Sequence, residues 1–451
     1  MSYPASISPF VRRLQAHSTN TFKIEPSGSK DSIGAGQVVS FSLPSNSLVD
    51  LKSIRWMFNA KITSAGDRGR LPNKIASLVE RYSVEAGGVV IYQGHLGYNV
   101  VKHAKDALEL GNCIEESRAV QNHEYIPRLT GVDDADISAA NEAPDNANDA
   151  TQFCVGGCGD DWLGFMEAKP QILDTSLLPE LTLKLYLAPN SVCTDSDGTD
   201  LSGGTTPFTT DASSPAAVYQ VNNQRLLVTT YSVNDGMYDM MIEQRIKDNG
   251  FIEVPFKNYF TFFEGSHSGS TRFNIGTQSL DRVTAVWRPS AYATQGAPVL
   301  ISGMKDNTGV AATGQLENAA HAGEKYTSKY FNFAKPSGLT TAQFQLNGTL
   351  YPQMAATTDE WYQITKDSHK KKSNQIKSLQ AWNNNYHIYS VRLNQPDADE
   401  LRLISGLDTR SQNMAGSLNS TGVSGGPAVV IICECTSTLR IGANMQLSVV
   451  V

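Results

Sequence analysis

The sequence predicts an all-β protein built from two tandem eight-stranded sandwiches, with short helices and long inserted loops. Three observations predict it. Apolar and polar residues alternate over many short runs, turn residues separate nearly all of those runs, and an internal repeat relates the two halves.

The clearest run is Leu181-Thr-Leu-Lys-Leu-Tyr-Leu187, a period-two strand with one leucine face. Val38–Leu43, Leu51–Ile62, Tyr82–Tyr92 and Leu226–Val233 complete the strand candidates of the first half. The second half offers Phe251–Phe263, Val283–Trp287, Gln343–Tyr351, His387–Leu393, Leu401–Ile404, Val429–Cys435 and Gln446–Val451. Pro-Ser-Asn at 44–46, Asn-Asp-Gly at 234–236 and Asn-Gly at 347–348 punctuate them.

Helical patterning is scarce. Leu96, Val100, Val101, Ala104 and Leu108 share one helical face, and a second short helix starts near Thr358-Asp359, where either residue caps a first turn. Two segments break the strand rhythm. Residues 130–162 hold eight carboxylates and no Lys or Arg, within a long loop expected over about 110–170; residues 292–324 are rich in Gly, Ala and Asn. Residues 194–216 read as a third polar loop.

The repeat rests on residue identity and on element order together. Phe41-Ser-Leu43 followed by Ser47-Leu48, Asp50 and Trp56 matches Phe273-Asn-Ile275 followed by Ser279-Leu280, Asp281 and Trp287. Further on, Val84-Glu-Ala-Gly-Gly88 with Tyr92-Gln93 matches Phe344-Gln-Leu-Asn-Gly348 with Tyr351-Pro-Gln353. A short helical stretch then follows in each half, holding Tyr98-Asn99 or Trp361-Tyr362. Trp56, Trp287, Gly88 and Gly348 are therefore structural positions. The division expected is an N-terminal arm at 1–20, a first unit at 21–235 and a second at 236–451.

Composition narrows the function. Hydrophobic residues make up 40% of 451, enough for a core, so a disordered chain is excluded. Lys+Arg is 37 against 44 Asp+Glu, a net charge of −7, which is no signature of nucleic-acid binding. No apolar run is long enough to span a bilayer, and the first residues lack the basic and apolar regions of a secretory signal.

Catalytic and metal constellations are absent from the pattern. There is no phosphate-binding Gly-x-x-x-x-Gly-Lys-Ser/Thr and no His-Glu-x-x-His. Gly265-Ser-His-Ser-Gly269 places His267 where a hydrolase elbow needs serine, and reads as a loop between strands. His95 and His103 are too far apart to share a metal on adjacent helical turns. Asp195-Ser-Asp197-Gly198-Thr-Asp200 resembles part of a calcium loop without its twelfth-position glutamate, and reads first as a solvated loop. Lys370-Lys-Lys372 reads as a solvated helix face or loop, with an acidic neighbour or a phosphate as the alternative partner. Cys154 and Cys158 have no second ligand pair for zinc; they are buried thiols or a loop disulfide. Cys433 and Cys435 point to the same, apolar side of a strand. No catalytic, cofactor-binding or metal-binding residue is assigned, and no small-molecule substrate is expected.

The duplicated units, each with a helix after its fifth strand, resemble the double jelly-roll major capsid proteins of tailless DNA viruses. Within that lineage the chain resembles most the capsid proteins of virophages and polinton-like viruses, with adenovirus hexon more remote. The segments that carry the resemblance are Leu346-Asn-Gly-Thr-Leu-Tyr-Pro352, Leu401-Arg-Leu-Ile-Ser-Gly-Leu-Asp-Thr409 with the polar loop after it, and the C-terminal Leu439 to Val451. The resemblance implies two jelly rolls and a non-enzymatic, structural role in the virion, assembled inside the host cell. Three copies would form a pseudo-hexagonal capsomer of an icosahedral shell, in contact with other capsomers, penton proteins and minor capsid proteins. The arm at 1–20, with Arg12 and Arg13, would face a minor capsid protein, an internal membrane or the genome. Two other readings stand beside this one: a carbohydrate-binding jelly-roll protein, and a minor capsid or spike component. Against the first, Trp56 and Trp287 fall at repeat-equivalent strand positions, which favours the core over a sugar platform.

Overall fold

The computed structural model describes residues 17–62, 75–109, 155–159, 161–192, 218–233, 236–288, 299–300, 326–327, 329–331, 333, 335–369, 379, 382–383, 386–395, 401, 404–410 and 414–451. The first half runs β1 (His17–Ile24), β2 (Ile33–Gly34), β3 (Val38–Ser42), β4 (Leu48–Asp50), β5 (Arg55–Ile62), β6 (Val79–Ala86) and β7 (Val89–Tyr92). Helix α1 (Tyr98–Glu109) follows, then β8 (Val155–Gly159), β9 (Ile172–Asp174), β10 (Leu181–Leu187) and β11 (Tyr219–Val233). Helix α2 (Gly236–Asn249) leads to the second half: β12 (Phe251–Glu264), β13 (Ser270–Ile275), β14 (Leu280–Arg288), the two-residue β15 (Val299–Leu300) and β16 (Tyr326–Thr327), β17 (Thr341–Leu346) and β18 (Thr349–Thr357). Helix α3 (Thr358–His369), β19 (Ile388–Arg392), β20 (Met414–Thr421), β21 (Ala428–Gly442) and β22 (Leu447–Val450) complete it.

Strand order is the same in both halves. One sheet runs β1-β11-β5-β8, with β2, β4 and β9 as short additions, and it faces β3-β10-β6-β7. The second half repeats this as β12-β21-β14-β19, with β22 on β21, facing β13-β20-β17-β18. All of these pairs are antiparallel, and each final long strand lies between the first and third principal strands of its unit. That is the jelly-roll path, made twice. The protein is a double jelly roll.

Local chemistry accounts for the matched positions. β10 alternates as expected: Leu181, Leu183, Leu185 and Leu187 are all buried. Trp56 on β5 and Trp287 on β14 are fully buried in their own cores, as are Phe41 on β3 and, nearly so, Phe273 on β13. Both hairpins after the fourth principal strand need two left-handed residues: Gly87 and Gly88 supply them in one, Asn347 and Gly348 in the other. Helix α3 is capped by Thr357, one residue before the expected cap. Its backbone N–H and hydroxyl reach the Glu360 carboxylate, at 2.7 and 3.0 Å.

Several expectations are corrected. His17–Asn20 pair with Val233–Thr230, so they belong to β1 and not to the arm expected at 1–20. The loop expected at 110–170 already contains β8, a 3-10 turn at Gly164–Glu167 and Trp162 in the core; Gly-rich Val155–Gly159 gave no alternation to read. The polar loop expected after Thr409 contains β20, in which Leu418 is buried in the core and Gly416 lies under the Phe273 ring, between small or polar neighbours. Leu401 has a positive φ and is not in a strand, against the strand read at Leu401–Ile404. Helix α2 was not anticipated, because its apolar residues lie on no single face and Met240 and Met241 are 70% and 61% exposed. β15 falls within the loop read at 292–324, the rest of which lies outside the described residues, as does the loop at 194–216.

Gly416 on β20 explains why that strand looked like a loop. A Cβ at this position would lie 2.3 Å from the Phe273 ring on the neighbouring strand. The aromatic therefore occupies the space a side chain would take. Gly416→Ala should lower stability by about 1–3 kcal/mol through overpacking, seen as a lower urea midpoint at unchanged slope. An unaltered midpoint would mean that Phe273 does not rest on this glycine.

Candidate assembly interface

Strands β14 and β21 are buried on both faces, which an ordinary outer sheet is not. Val429, Ile431, Cys433 and Cys435 of β21 point into the core of the second roll. Their alternates Val430 and Ile432 join Val286, Val254, Phe256 and Tyr259 in one apolar cluster with the first roll. The outer face of this sheet is thus the seam between the rolls.

The first roll presents its α1 end to that face. The Phe256 ring packs edge-on against Phe165 and Tyr92, at centroid distances of 5.3 and 6.2 Å. The Thr261 hydroxyl donates to Leu96 O at 2.7 Å, the Lys169 N–H donates to Pro255 O at 3.0 Å, and His95 lies over Phe260. Gly97 sits against the Phe263 ring with no room for a Cβ.

Charged groups fill the middle of the seam. Lys105 of α1 donates to the Tyr259 hydroxyl at 2.5 Å and lies 3.5 Å from Glu167. Arg282 of β14 donates to Glu434 of β21 at 2.9 Å and to Ser368 O at 3.3 Å. His369 of α3 lies 3.7 Å from the Glu109 carboxylate of α1. Burial alone would push the Glu434 carboxyl up, but Arg282, Lys105 and Lys257 outweigh it and hold it at about 2. Burial, aided by Arg282, pushes His369 down to about 4, so it is neutral at pH 7. Burial likewise opposes charge on Lys105, yet Glu167, Glu109 and Glu434 raise it. Beside this cluster, Lys257 is clamped by Asp281 at 2.7 Å, with the Thr436 hydroxyl also on Asp281. All of these ions are paired, as a dry site demands.

Among the described residues, nothing covers the equivalent outer face of the first roll. Trp56, Phe58 and Ala60 of β5 point inward, while Arg55 is exposed and Met57 and Asn59 are half-buried. On β11, Leu226, Val228 and Thr230 are buried, whereas Leu227, Thr229 and Tyr231 are half-exposed. Ser18–Lys23 of β1 are exposed throughout.

The residues singled out from the sequence lie apart from one another. His267 is a core residue, with Nδ1 2.6 Å from the Thr271 hydroxyl and Nε2 2.6 Å from the Ser420 hydroxyl. His103 bonds Ser77 Oγ at 2.6 Å and stacks on Phe331. Cys433 and Cys435 are buried free thiols, and Cys158 is buried. Cys154, Asp195–Asp200 and Lys370–Lys372 lie outside the described residues. Among the described residues no three His, Cys, Asp or Glu side chains converge as metal ligands, and no helix is long and apolar enough to cross a membrane. Sequence reasoning missed Lys105, Glu167, Arg282, Glu434 and His369. Only Glu434 carried a signal, a lone charge between Cys433 and Cys435 in an otherwise apolar run.

Solved structures share this architecture. The Faustovirus major capsid protein aligns over 96% of this chain and 92% of its own, with a TM-score of 0.58 at 9% identity. The capsid protein in a quasi-atomic model of the PBCV-1 virus capsid aligns over 97% of both chains, with a TM-score of 0.54 at 12% identity. The PBCV-1 protein VP54, as fitted into a reconstruction of the virophage Sputnik, gives 0.51 at 14% identity over 97% of both chains. No protein-family model matches the sequence, and no curated protein matches it. At these identities the likeness is one of fold, and that fold is the double jelly roll of viral major capsid proteins.

Two predictions follow from the seam's charges. Arg282→Met strands Glu434 in a dry site and should cost about 3–5 kcal/mol, while Arg282→Met with Glu434→Gln should recover most of it. Additive losses in a urea double-mutant cycle would show that the two are not coupled. The second concerns acid. The unfolded chain protonates His369 near its ordinary 6.5, whereas the folded chain resists until about 4, so stability falls as pH drops through that window. Glu434, held at about 2 against an ordinary 4.5, extends the loss below pH 4.5. His369→Gln should flatten the slope of the melting temperature between pH 6.5 and 4, and an unchanged slope would remove His369 from the account.

Proposed function

We propose that this chain is a major capsid protein, in which three copies form a pseudo-hexagonal capsomer and capsomers tile an icosahedral shell. The observation that carries the reading is the double jelly roll itself, with one sheet face sealed within the chain and its counterpart left open. The first roll, beginning with β1 at His17 and running to about residue 235, and the second at 236–451 are the two structural units, and neither requires a cofactor. In this reading the protein resides in the virion, after assembly in the host cell. Its partners are further copies of itself, penton and minor capsid proteins, and an internal membrane or the genome reached through the N-terminal arm.

Closed threefold symmetry makes each contact heterologous, so one chain must offer two different complementary surfaces. Light scattering of the purified chain should give three times the 48.9 kDa of one copy, and electron microscopy should show hexagonal outlines. A species that remains at one chain mass at high concentration and in any salt would overturn the reading.

A further inference from the structure

The seam inside the chain is a contact between two unlike surfaces: the α1 end of roll one and the outer sheet face of roll two. Because the rolls share one topology, each carries a counterpart of both surfaces. Helix α1 is buried nearly all round, against its own roll on one side and the second roll on the other. Helix α3, its counterpart, meets the first roll at its last residue, His369 beside Glu109, and along the rest of its length is buried toward its own roll, with Asp359, Glu360, Gln363 and Asp367 exposed. Met354 near the end of β18 is 65% exposed; before α1, His95 and Gly97 pack on β12 and Leu96 O accepts from the Thr261 hydroxyl, although the Leu96 side chain is 57% exposed. Conversely β12 is covered over Val254–Tyr259, with Phe263 still 43% exposed, and among the described residues nothing covers β1. Each roll thus has one satisfied surface and one open one, and the two open surfaces are the two unlike halves of the same contact.

The register places the counterparts residue by residue. Leu226 pairs with Trp56 and Ile24, and Val429 pairs with Trp287 and Glu264. It follows that Thr19, Thr21 and Lys23 occupy the positions that Tyr259, Thr261 and Phe263 hold in the seam. Charge agrees independently. Strands β1, β5 and β11 contain no Asp or Glu, and their open face carries Lys23, Arg55 and Arg225. The described face of α3 carries Asp359, Glu360 and Asp367 with half-buried Lys366, and the chain then enters Lys370–Lys372, which lie outside the described residues.

We propose that the α3 end of one copy docks on the β1–β11–β5 face of a second copy, repeating between chains the contact made within one. The inference rests on the trimer reading and names its surfaces. Repetition of one heterologous contact, alternately within and between chains, closes a ring of six rolls from three copies.

Zero-length carbodiimide coupling of the wild-type protein, assembled from isotopically heavy and light chains, tests it directly. The expected product joins the Lys23 amine to Asp359 or Asp367, with one partner heavy and one light. Lys23 also lies 3.9 Å from Glu25 of its own chain, so that link forms with or without docking. A trimer in which Lys23 forms no link to α3 of another chain overturns the proposed surface and leaves the capsomer reading standing. A wild-type protein that never trimerises overturns both.

Two variants add a second readout. Thr21→Asp/Lys23→Glu spoils the β1 face, and Asp359→Lys/Asp367→Lys spoils the α3 face; all four side chains are exposed. Each alone should run at one chain mass, and the mixture should form a two-chain species, since one intact contact remains. Trimers in either variant, or only monomers in the mixture, overturn the surface. If a double variant melts early, Lys23→Glu or Asp359→Lys alone replaces it, with at least a tenfold higher dissociation concentration expected. A Lys23 equally protected from acetylation in dilute monomer and in trimer would mean that residues 1–16 of its own chain cover the strip, which also overturns the proposal.

Discussion

Burial of β14 and β21 on both faces is the constraint on which the rest of the structure turns. A strand inside a sandwich keeps one face for its own core and gives the other to water, unless a second layer covers it. Here the second layer is the whole first roll. The apolar alternates Val286, Val430 and Ile432 have no other place to go. That demand fixes α1, the turn at Gly164–Glu167 and the residues after β7 as one continuous contact surface. It also makes the two rolls one folding body whose melting should be shared.

The ions in the seam set its register more than its strength. Desolvating Lys105, Arg282, Glu109 and Glu434 offsets much of what their mutual attraction returns. Their geometry nevertheless excludes neighbouring arrangements. A slide of one residue along β12 would carry Lys105 and Glu167 of the first roll away from the Tyr259 hydroxyl and part Glu109 from His369. Hydrophobic side chains tolerate such slides far better, because apolar contact is non-directional. The apolar part of the seam therefore holds the rolls together, and the ionic part says where.

The repeat was legible because its markers are local. Two left-handed residues in a hairpin, or a large aromatic on an inward strand position, impose sequence requirements that survive whatever packs outside. Thus Gly88 with Gly348, and Trp56 with Trp287, located equivalent elements correctly. β8 and β20 were illegible for the opposite reason: their neighbours dictate small residues, as Phe273 does at Gly416, and a strand of small residues looks like a turn. The seam was illegible altogether. Lys105, Glu167, Arg282, Glu434 and His369 come from five separate elements, and only the tertiary fold brings them within reach of one another.

Equivalent positions on the two sheets differ in a way that duplication alone does not require. Tyr259 and Phe263 on β12 stand where β1 has Thr19 and Lys23. A contact within one chain forms once, on folding, and can be as apolar as a core. The same face on a separate chain must stay hydrated until a partner arrives, and an aromatic strip there would pair indiscriminately. In the proposed docking, threonine and lysine on β1 would keep the open strip hydrated until a partner arrives, and the Lys23 charge would favour the acidic α3 end over a second β1 strip. One copy of the contact would then be a permanent core, while the other would stay polar enough to form late.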